Sequence, residues 1–267
     1  MQEEKTPYPN RKIAISVRNL WKAYGNLQVL KDLDLDIYEG ETVVILGRSG
    51  VGKSVLLRQI IGIESPEKGE IEINGKQISG MKQQERFKTT KQMGMLFQGA
   101  ALFDSMNVGA NTAFYLRQHN PELSEKEINR RVEESLAMVG MEGTKEKMPS
   151  DLSGGMRKRA ALARLIVYRP EIVLYDEPTT GLDPITSMQI NDLINKTKKE
   201  LKSTSIVVTH DIRSALEVGD RLAFHYDGKI IHIAPKKEFM NLKDPHIEAF
   251  FKNAILSPEY IKGAMTP

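Results

Sequence analysis

One glycine-rich segment, at residues 47–54, limits the folds open to this chain more than any other feature. It reads Gly-Arg-Ser-Gly-Val-Gly-Lys-Ser, the spacing of a phosphate-binding loop. It follows the β-branched run Thr42 to Leu46 and opens a helical pattern from Lys53 to Ile61, the context that such a loop requires. Glycines there let backbone N–H groups converge on phosphate oxygens, and the helix N-terminus adds partial positive charge. We predict that nucleotide phosphates bind at Gly47, Arg48, Ser49, Gly50, Val51, Gly52, Lys53, Ser54 and Val55.

Two side chains of this loop and two later carboxylates form the predicted reaction centre. Lys53 is expected to reach the outer phosphates, and Ser54 to offer its hydroxyl to Mg²⁺. The apolar run from Ile172 to Tyr175 leads into Asp176-Glu177, which places two acids at the carboxyl end of a buried strand. We expect Asp176 to bind Mg²⁺ and Glu177 to act as the general base or to orient the attacking water.

The rest of the chain alternates between strand-forming runs and helical patterns. Helical patterns at 184–201 and 212–218 flank the strand-forming run 205–209, which indicates a parallel sheet with right-handed crossovers. The predicted fold class is α/β: a P-loop NTPase core of the RecA-like kind, with an N-terminal antiparallel β portion and an inserted helical lobe. The predicted parts are a leader at 1–12, a core at 13–98 and 151–243, the lobe at 99–150 and a tail at 244–267.

Composition excludes several classes of function. The net charge of +3 comes from interspersed charges, without the basic stripe typical of a nucleic-acid binder, so no nucleic-acid partner is expected. The chain has no cysteine, which excludes a disulfide framework, thiolate catalysis and cysteine zinc sites. Its apolar stretches are far shorter than the roughly 20 residues that cross a bilayer, so we expect any membrane role to be exercised from the surface.

The most specific segment is Leu152-Ser153-Gly154-Gly155-Met156, followed by Arg157 to Tyr168. It resembles the signature motif that separates ATP-binding cassette (ABC) ATPases from other P-loop proteins. Tyr24, Gln98, Asp183 and His210 stand in the order that this family shows. On these motifs the chain is identified as a member of the ABC ATPase family, with the resemblance spanning Ile13 to about Ile233.

The resemblance implies roles for single residues. Tyr24 is similar to the aromatic residue that stacks on adenine, although an ordinary tyrosine at a strand end remains the alternative. Gln98 is similar to the glutamine that touches Mg²⁺ or the attacking water at the root of the helical lobe. His210 resembles the switch histidine that contacts the γ-phosphate, and Asp183 resembles the residue that crosses between two subunits.

The resemblance also implies a second copy of the chain as a partner. In this family two cassettes meet head to tail around ATP. Ser153, with Gly154 and Gly155 at the start of the following helix, is then expected to cap the γ-phosphate held by Lys53 of the other copy. The physical reason is that a helix N-terminus presents N–H groups suited to an anion.

Two residues depart from the family pattern. The signature commonly continues with Gln where this chain has Met156, and the P-loop serine is commonly followed by Thr where this chain has Val55. Val55 has no hydroxyl to donate to the α-phosphate, so we expect weaker nucleotide binding than is usual in the family.

A narrower resemblance concerns the segment from Met95 to Val108. It is similar to the Q-loop region of ATPases from Mla- and Mce-type phospholipid trafficking systems, and Leu152 to Ala163 and Asp183 to Thr186 agree. That resemblance implies a peripheral position on the cytoplasmic face of the inner membrane. The implied partners are a transmembrane permease, an MCE-domain lipid-binding protein and, in some systems, a STAS-domain subunit.

Two apolar groups each allow two interpretations. Residues 100–103 are either core of the helical lobe or a cleft that grips a permease helix. Near the C-terminus, Ile247, Phe250, Phe251 and Ala254 recur at helical spacing before Pro258. That helix either folds back on its own domain or docks onto the second copy.

Other functions share parts of this motif set. A solute importer or an efflux pump is the main rival among transport motors, because the motor delivers the same stroke in either direction. DNA-repair and translation-associated ABC proteins form a remote alternative, since they usually carry long coiled coils, paired cassettes or basic segments that this sequence lacks. A P-loop kinase would leave the signature segment unexplained.

Overall fold

The computed structural model describes residues 11–255. The chain forms two compact units: the first holds residues 11–91 and 204–255 of the described chain, and the second holds residues 92–203. No helix of the described part is both long enough and apolar enough to cross a membrane. Most of the predicted leader, the last part of the predicted tail with Pro258, and the side chain of Ala254 lie outside the described residues.

Strands and helices alternate as the sequence predicts. The strands are β1 Ile13–Tyr24, β2 Leu27–Tyr38, β3 Thr42–Leu46, β4 Lys68–Ile73, β5 Lys76–Gln77, β6 Met93–Leu96, β7 Ile172–Asp176, β8 Thr204–Thr209, β9 Arg221–Tyr226 and β10 Lys229–Pro235. The helices are α1 Lys53–Ile60, α2 Gln83–Thr90, α3 Val108–His119, α4 Glu125–Met138, α5 Gly154–Ile166, α6 Pro184–Leu201, α7 Ile212–Val218, α8 Lys236–Phe239 and α9 Pro245–Ile255.

An antiparallel sheet in the first unit confirms the predicted N-terminal β portion. Its strand order is β2-β1-β4-β5. On β1, Ile15, Val17 and Leu20 are completely buried, so this sheet has an apolar face that packs into the core. The turn between β4 and β5 contains Asn74 and Gly75 at positive φ, as a tight hairpin requires.

The first unit also contains the parallel strands that carry the phosphate-binding loop. Strand β3 pairs in parallel with β8 on one side and β9 on the other. Every residue of β3 is buried, which explains its continuous β-branched run. A tight turn at Asp227-Gly228 joins β9 to the antiparallel strand β10.

A buried ion pair lies in the first unit. The carboxylate of Glu41 has no exposed surface and lies 3.1 Å from the guanidinium of Arg221. The same carboxylate oxygen accepts a hydrogen bond of 2.7 Å from the backbone N–H of Tyr38. Burial raises the pKa of Glu41, and the Tyr38 N–H and Arg221 oppose that rise.

The second unit combines two parallel strands with helices α3 to α6. Strand β6 pairs in parallel with β7, from Met93 opposite Ile172 to Leu96 opposite Tyr175. Helix α5 packs against α3 and α4. The segment predicted as the helical lobe, 99–150, lies within this unit and contains α3 and α4.

The C-terminal helix α9 folds back on its own unit. Ile247 is completely buried, and the ring of Phe250 lies 5.3 Å from that of Phe224. The segment entering α9 is held by a bond of 2.9 Å between His232 Nε2 and Asp244 Oδ2. The apolar stripe of α9 therefore makes contacts within its own chain.

Candidate functional site

The phosphate-binding loop joins β3 to α1 with little room for side chains. A Cβ atom on Gly47 would lie 2.7 Å from the carbonyl oxygen of His225, which is closer than such atoms come. Gly52 has φ of 102° and precedes the helix, where a Cβ would lie 2.5 Å from Val29. These glycines are therefore required by the path of the backbone, in addition to their suitability for phosphate.

Lys53 begins α1 and is 4% exposed. Its ammonium donates hydrogen bonds to the carbonyl oxygens of Gly47 at 2.8 Å and Arg48 at 2.9 Å. The loop is thus curled around the lysine, whose charge lies at the N-terminus of a helix, where anions bind favourably. Val55, in the first turn of α1, is buried.

His210 and the phosphate-binding loop leave the sheet at the same edge. Leu46, the last residue of β3, pairs with Thr209, the last residue of β8. The next residue on each strand is Gly47 or His210, and parallel pairing therefore places these two residues side by side at the carboxyl edge. The backbone of His210 therefore lies beside the start of the phosphate-binding loop.

Tyr24 ends β1 with 45% of its surface exposed, which suits a stacking platform. Its phenol donates a hydrogen bond to the carboxylate of Glu64. Glu64 also lies 2.8 Å from the guanidinium of Arg58 in the last turn of α1. Glu64, which was not predicted from the sequence, connects the predicted adenine-binding aromatic to the helix that starts at the phosphate-binding loop.

His225 is a buried histidine beside the phosphate-binding loop, also not anticipated. It is 1% exposed, and neither ring nitrogen has a hydrogen-bond partner among residues 11–255. Burial and the charge of Lys53 lower its pKa to about 4. The imidazole is therefore neutral at physiological pH.

In the second unit, parallel pairing brings Gln98 near the two carboxylates. Leu96 at the end of β6 pairs with Tyr175, one residue before Asp176. Asp176 and Glu177 are 6% and 7% exposed, whereas Gln98 is exposed. Glu177 has φ of 46°, a strained conformation for a residue with a side chain, and its carboxylate accepts a hydrogen bond of 2.9 Å from Thr180.

The signature segment forms the start of α5. Ser153 is the N-cap residue: its hydroxyl oxygen accepts a hydrogen bond of 3.3 Å from the N–H of Met156. Ser153 and Gly154 are exposed, and a Cβ on Gly155 would lie 2.6 Å from a methyl group of Thr186. The start of α5 is therefore an exposed helix N-terminus packed directly against α6.

Asp183 caps α6 in the same way. Its carboxylate accepts hydrogen bonds from the N–H groups of Ile185 at 3.1 Å and Thr186 at 3.0 Å. Hydrogen bonds from Thr186 lower the pKa of Asp183. Because Thr186 also contacts Gly155, the two predicted intersubunit segments, around Ser153 and around Asp183, lie next to each other.

The loop after β3, the carboxylates at the end of β7 and the helix start at Ser153-Gly154-Gly155 are the features that together define an ATP-binding cassette ATPase. The model of the ABC transporter family matches residues 30–180, and this chain belongs to that family. It is the ATP-hydrolysing subunit of a transporter.

Curated relatives and solved structures agree with this assignment. The probable ribonucleotide transport ATP-binding protein mkl of Mycobacterium leprae is 39% identical over 92% of this chain and 71% of its own length. The intermembrane phospholipid transport system ATP-binding protein MlaF of Haemophilus influenzae is 38% identical over 93% of this chain and 94% of its own length. A dimeric post-hydrolysis structure of the ATP-binding cassette MJ0796, bound to ADP and Pi, superposes with a TM-score of 0.77 at 32% identity, over 83% of this chain and 98% of that one.

Proposed function

We propose that this chain drives phospholipid transport between the inner membrane and the cell envelope, as a head-to-tail pair on the cytoplasmic face of the membrane. The observation that supports phospholipid as the cargo is the 38% identity to MlaF over 94% of that protein's length, together with the Mla-like segment from Met95 to Val108. The proposed partners are a multi-spanning permease, an MCE-domain lipid-binding protein and a STAS-domain subunit.

Several predicted site residues have a proposed task in hydrolysis. Lys53 and the N-terminus of α1 bind the phosphates, and Tyr24 stacks on adenine. The hydroxyl of Ser54 and the carboxylate of Asp176 are hard oxygen ligands of the kind that Mg²⁺ prefers, with Gln98 as a further ligand. A bound Mg²⁺ would neutralise charge on the phosphate oxygens.

Glu177 is proposed to accept a proton from the attacking water at its carboxylate. Thr180 holds that carboxylate in place, and His210 is proposed to bind the γ-phosphate oxygens. Ser153 of one copy is proposed to cap the γ-phosphate bound by the other copy, with Gly154 and Gly155 leaving room for it. In this arrangement neither copy hydrolyses ATP alone.

The cargo is tested by trapping the complex in its native host. Tagged Glu177→Gln is expressed there, membranes are solubilised gently with Mg-ATP, and co-purifying proteins and lipids are identified by mass spectrometry. We expect a permease, an MCE-domain protein and bound phospholipid. Recovery of a permease with a nucleotide or another solute, and without an MCE-domain protein, would leave the ATPase assignment intact but contradict phospholipid as the cargo. Ribonucleotides are the first solute to examine, because the mkl relative is named as a probable ribonucleotide transport protein.

A further inference from the structure

A buried lysine, Lys158, lies on α5 about one turn after the signature serine. It is 5% exposed, whereas its neighbour Arg157 is exposed. Lysine is almost never buried without polar partners, because removing an ammonium group from water is costly. Its partners therefore indicate why it is held there.

Those partners are the backbone carbonyls of two predicted site residues. The Lys158 ammonium donates a short hydrogen bond to the carbonyl oxygen of Gln98, and a second of 3.3 Å to that of Glu177. Gln98 follows β6 and Glu177 follows β7, so one side chain joins both loops at this edge of the unit.

The two loops are conformationally strained. Glu177 has φ of 46°, and Ala100 and Ala101, just after Gln98, have φ of 64° and 51°. A left-handed conformation is unfavourable for a residue with a Cβ, so surrounding contacts must maintain it.

A second residue of α5 holds the strained alanines. The guanidinium of Arg164 donates to the carbonyl oxygens of Ala101 at 2.6 Å and Ala100 at 3.2 Å. Lys158 and Arg164 thus attach the Gln98 loop to α5 at two points, while Lys158 alone also reaches Glu177. Burial lowers the pKa of Lys158, and the carboxylates of Asp176 and Glu177 oppose that change.

We propose that Lys158 is a positioning residue for ATP hydrolysis, which fixes the Gln98 loop and the strained backbone of Glu177 to the signature helix. This inference rests on the proposed function, since it takes Gln98 and Glu177 to act on the attacking water. The signature serine begins the same helix. A movement of α5 when Ser153 contacts the nucleotide of the second copy would therefore be transmitted through Lys158 to the backbones of Gln98 and Glu177.

The test compares three variants with wild type in the intact transporter. Lys158→Met keeps the length of the side chain and removes every N–H donor. Lys158→Gln keeps one donor group, which is too short to reach both carbonyls. Lys196→Met is the matched control, because exposed Lys196 on α6 also donates to a backbone carbonyl, that of Met138 at 3.1 Å.

For Lys158→Met we expect kcat for ATP to fall about 30-fold, the effect of losing hydrogen bonds to the two loops. KM and the midpoint of thermal unfolding should stay near wild type, because the phosphate-binding loop is unchanged. The kcat of Lys158→Gln should lie between those of Lys158→Met and wild type, and the kcat of Lys196→Met should match wild type. If Lys158 merely stabilised the fold, replacing it would instead lower the midpoint of thermal unfolding, without selective loss of kcat.

Wild-type kcat in Lys158→Met would overturn the inference, as would a loss of kcat fully accounted for by unfolding. If Lys158→Met does not fold, Lys158→Gln decides: reduced kcat with unchanged KM and unfolding midpoint supports the inference, and wild-type kcat overturns it. Glu177→Gln is measured in parallel. Wild-type hydrolysis by that variant would refute the proposed reaction centre itself, an outcome distinct from failure of Lys158 alone.

Discussion

Tyr24 and Glu64, which are 40 positions apart, are joined by a hydrogen bond from the phenol to the carboxylate. Glu64 is held in turn by Arg58 at 2.8 Å, so the exposed ring is fixed relative to α1. The lysine that begins α1 binds phosphate in the proposed site. The adenine platform and the phosphate end of that site are therefore connected through one helix.

Loss of this connection should weaken nucleotide binding. For Glu64→Ala, which removes the acceptor, we expect KM for ATP to rise about 5-fold with kcat nearly unchanged, since an exposed charged hydrogen bond is worth about 1 kcal/mol. Tyr24→Phe should have a similar effect, because it keeps the stacking ring and loses the same bond. Steady-state kinetics on both variants and on the double variant test this: additive effects would contradict a shared hydrogen bond.

The signature serine can be tested apart from its capping role. We expect Ser153→Arg to bind ATP but to lose hydrolysis, because a bulky cation would occupy the place of the second copy's γ-phosphate. Ser124→Arg is the matched control: Ser124 caps α4 with the same 3.3 Å hydrogen bond and has no proposed role with nucleotide. Nucleotide binding and phosphate release are measured for both. Normal turnover by Ser153→Arg would refute the head-to-tail arrangement.

His225 should make the folded chain sensitive to acid. Its pKa is lowered from 6.5 to about 4, so between these pH values the unfolded chain binds the proton and the folded chain does not. Stability therefore falls as pH drops through this window, by about 1–3 kcal/mol. His225→Leu should lose that part of the pH dependence in urea unfolding. Identical slopes for the variant and wild type would contradict the assignment.

The buried pair of Glu41 and Arg221 predicts an asymmetric response to mutation. Arg221→Met leaves a carboxylate without its counter-ion and should destabilise the fold by about 3–5 kcal/mol. Because it also raises the pKa of Glu41 further, the deficit should shrink as pH falls and the carboxylate becomes protonated. Adding Glu41→Gln should restore most of the stability, since glutamine still accepts the N–H of Tyr38. Chemical unfolding of Arg221→Met and of the double variant measures both free energies of unfolding. Equal free energies for these two variants would contradict the prediction.

Features that depend on neighbouring residues along the chain could be predicted from the sequence. Helix α6 begins and ends where expected, because Asp183 and Pro184 are typical first residues of a helix. The buried strand β3 was likewise clear from its β-branched run. The alternation of apolar and polar residues that indicates a strand extends only from Ile13 to Asn19 in the sequence. Strand β1 nevertheless continues to Tyr24, because irregularities in its pairing after Val17 break that alternation.

Features that depend on long-range contact were not predictable in this way. Lys158 follows an exposed arginine in the sequence, and its burial depends on the rotation of α5 against its neighbours. Glu64 acquires its role from a tyrosine on another element. The left-handed conformations of Glu177 and Ala100 belong to residue types that do not favour them, so only the completed fold specifies them.

The interleaved order of the two units has a consequence for synthesis on the ribosome. Strand β3 emerges early, but its parallel neighbours β8 and β9 follow only after all of residues 92–203. The second unit is continuous in sequence and can fold as it leaves the ribosome, whereas the first must wait for its last strands. A growing chain therefore holds the apolar β3 without its two native strand partners until residues 204–226 have been synthesised.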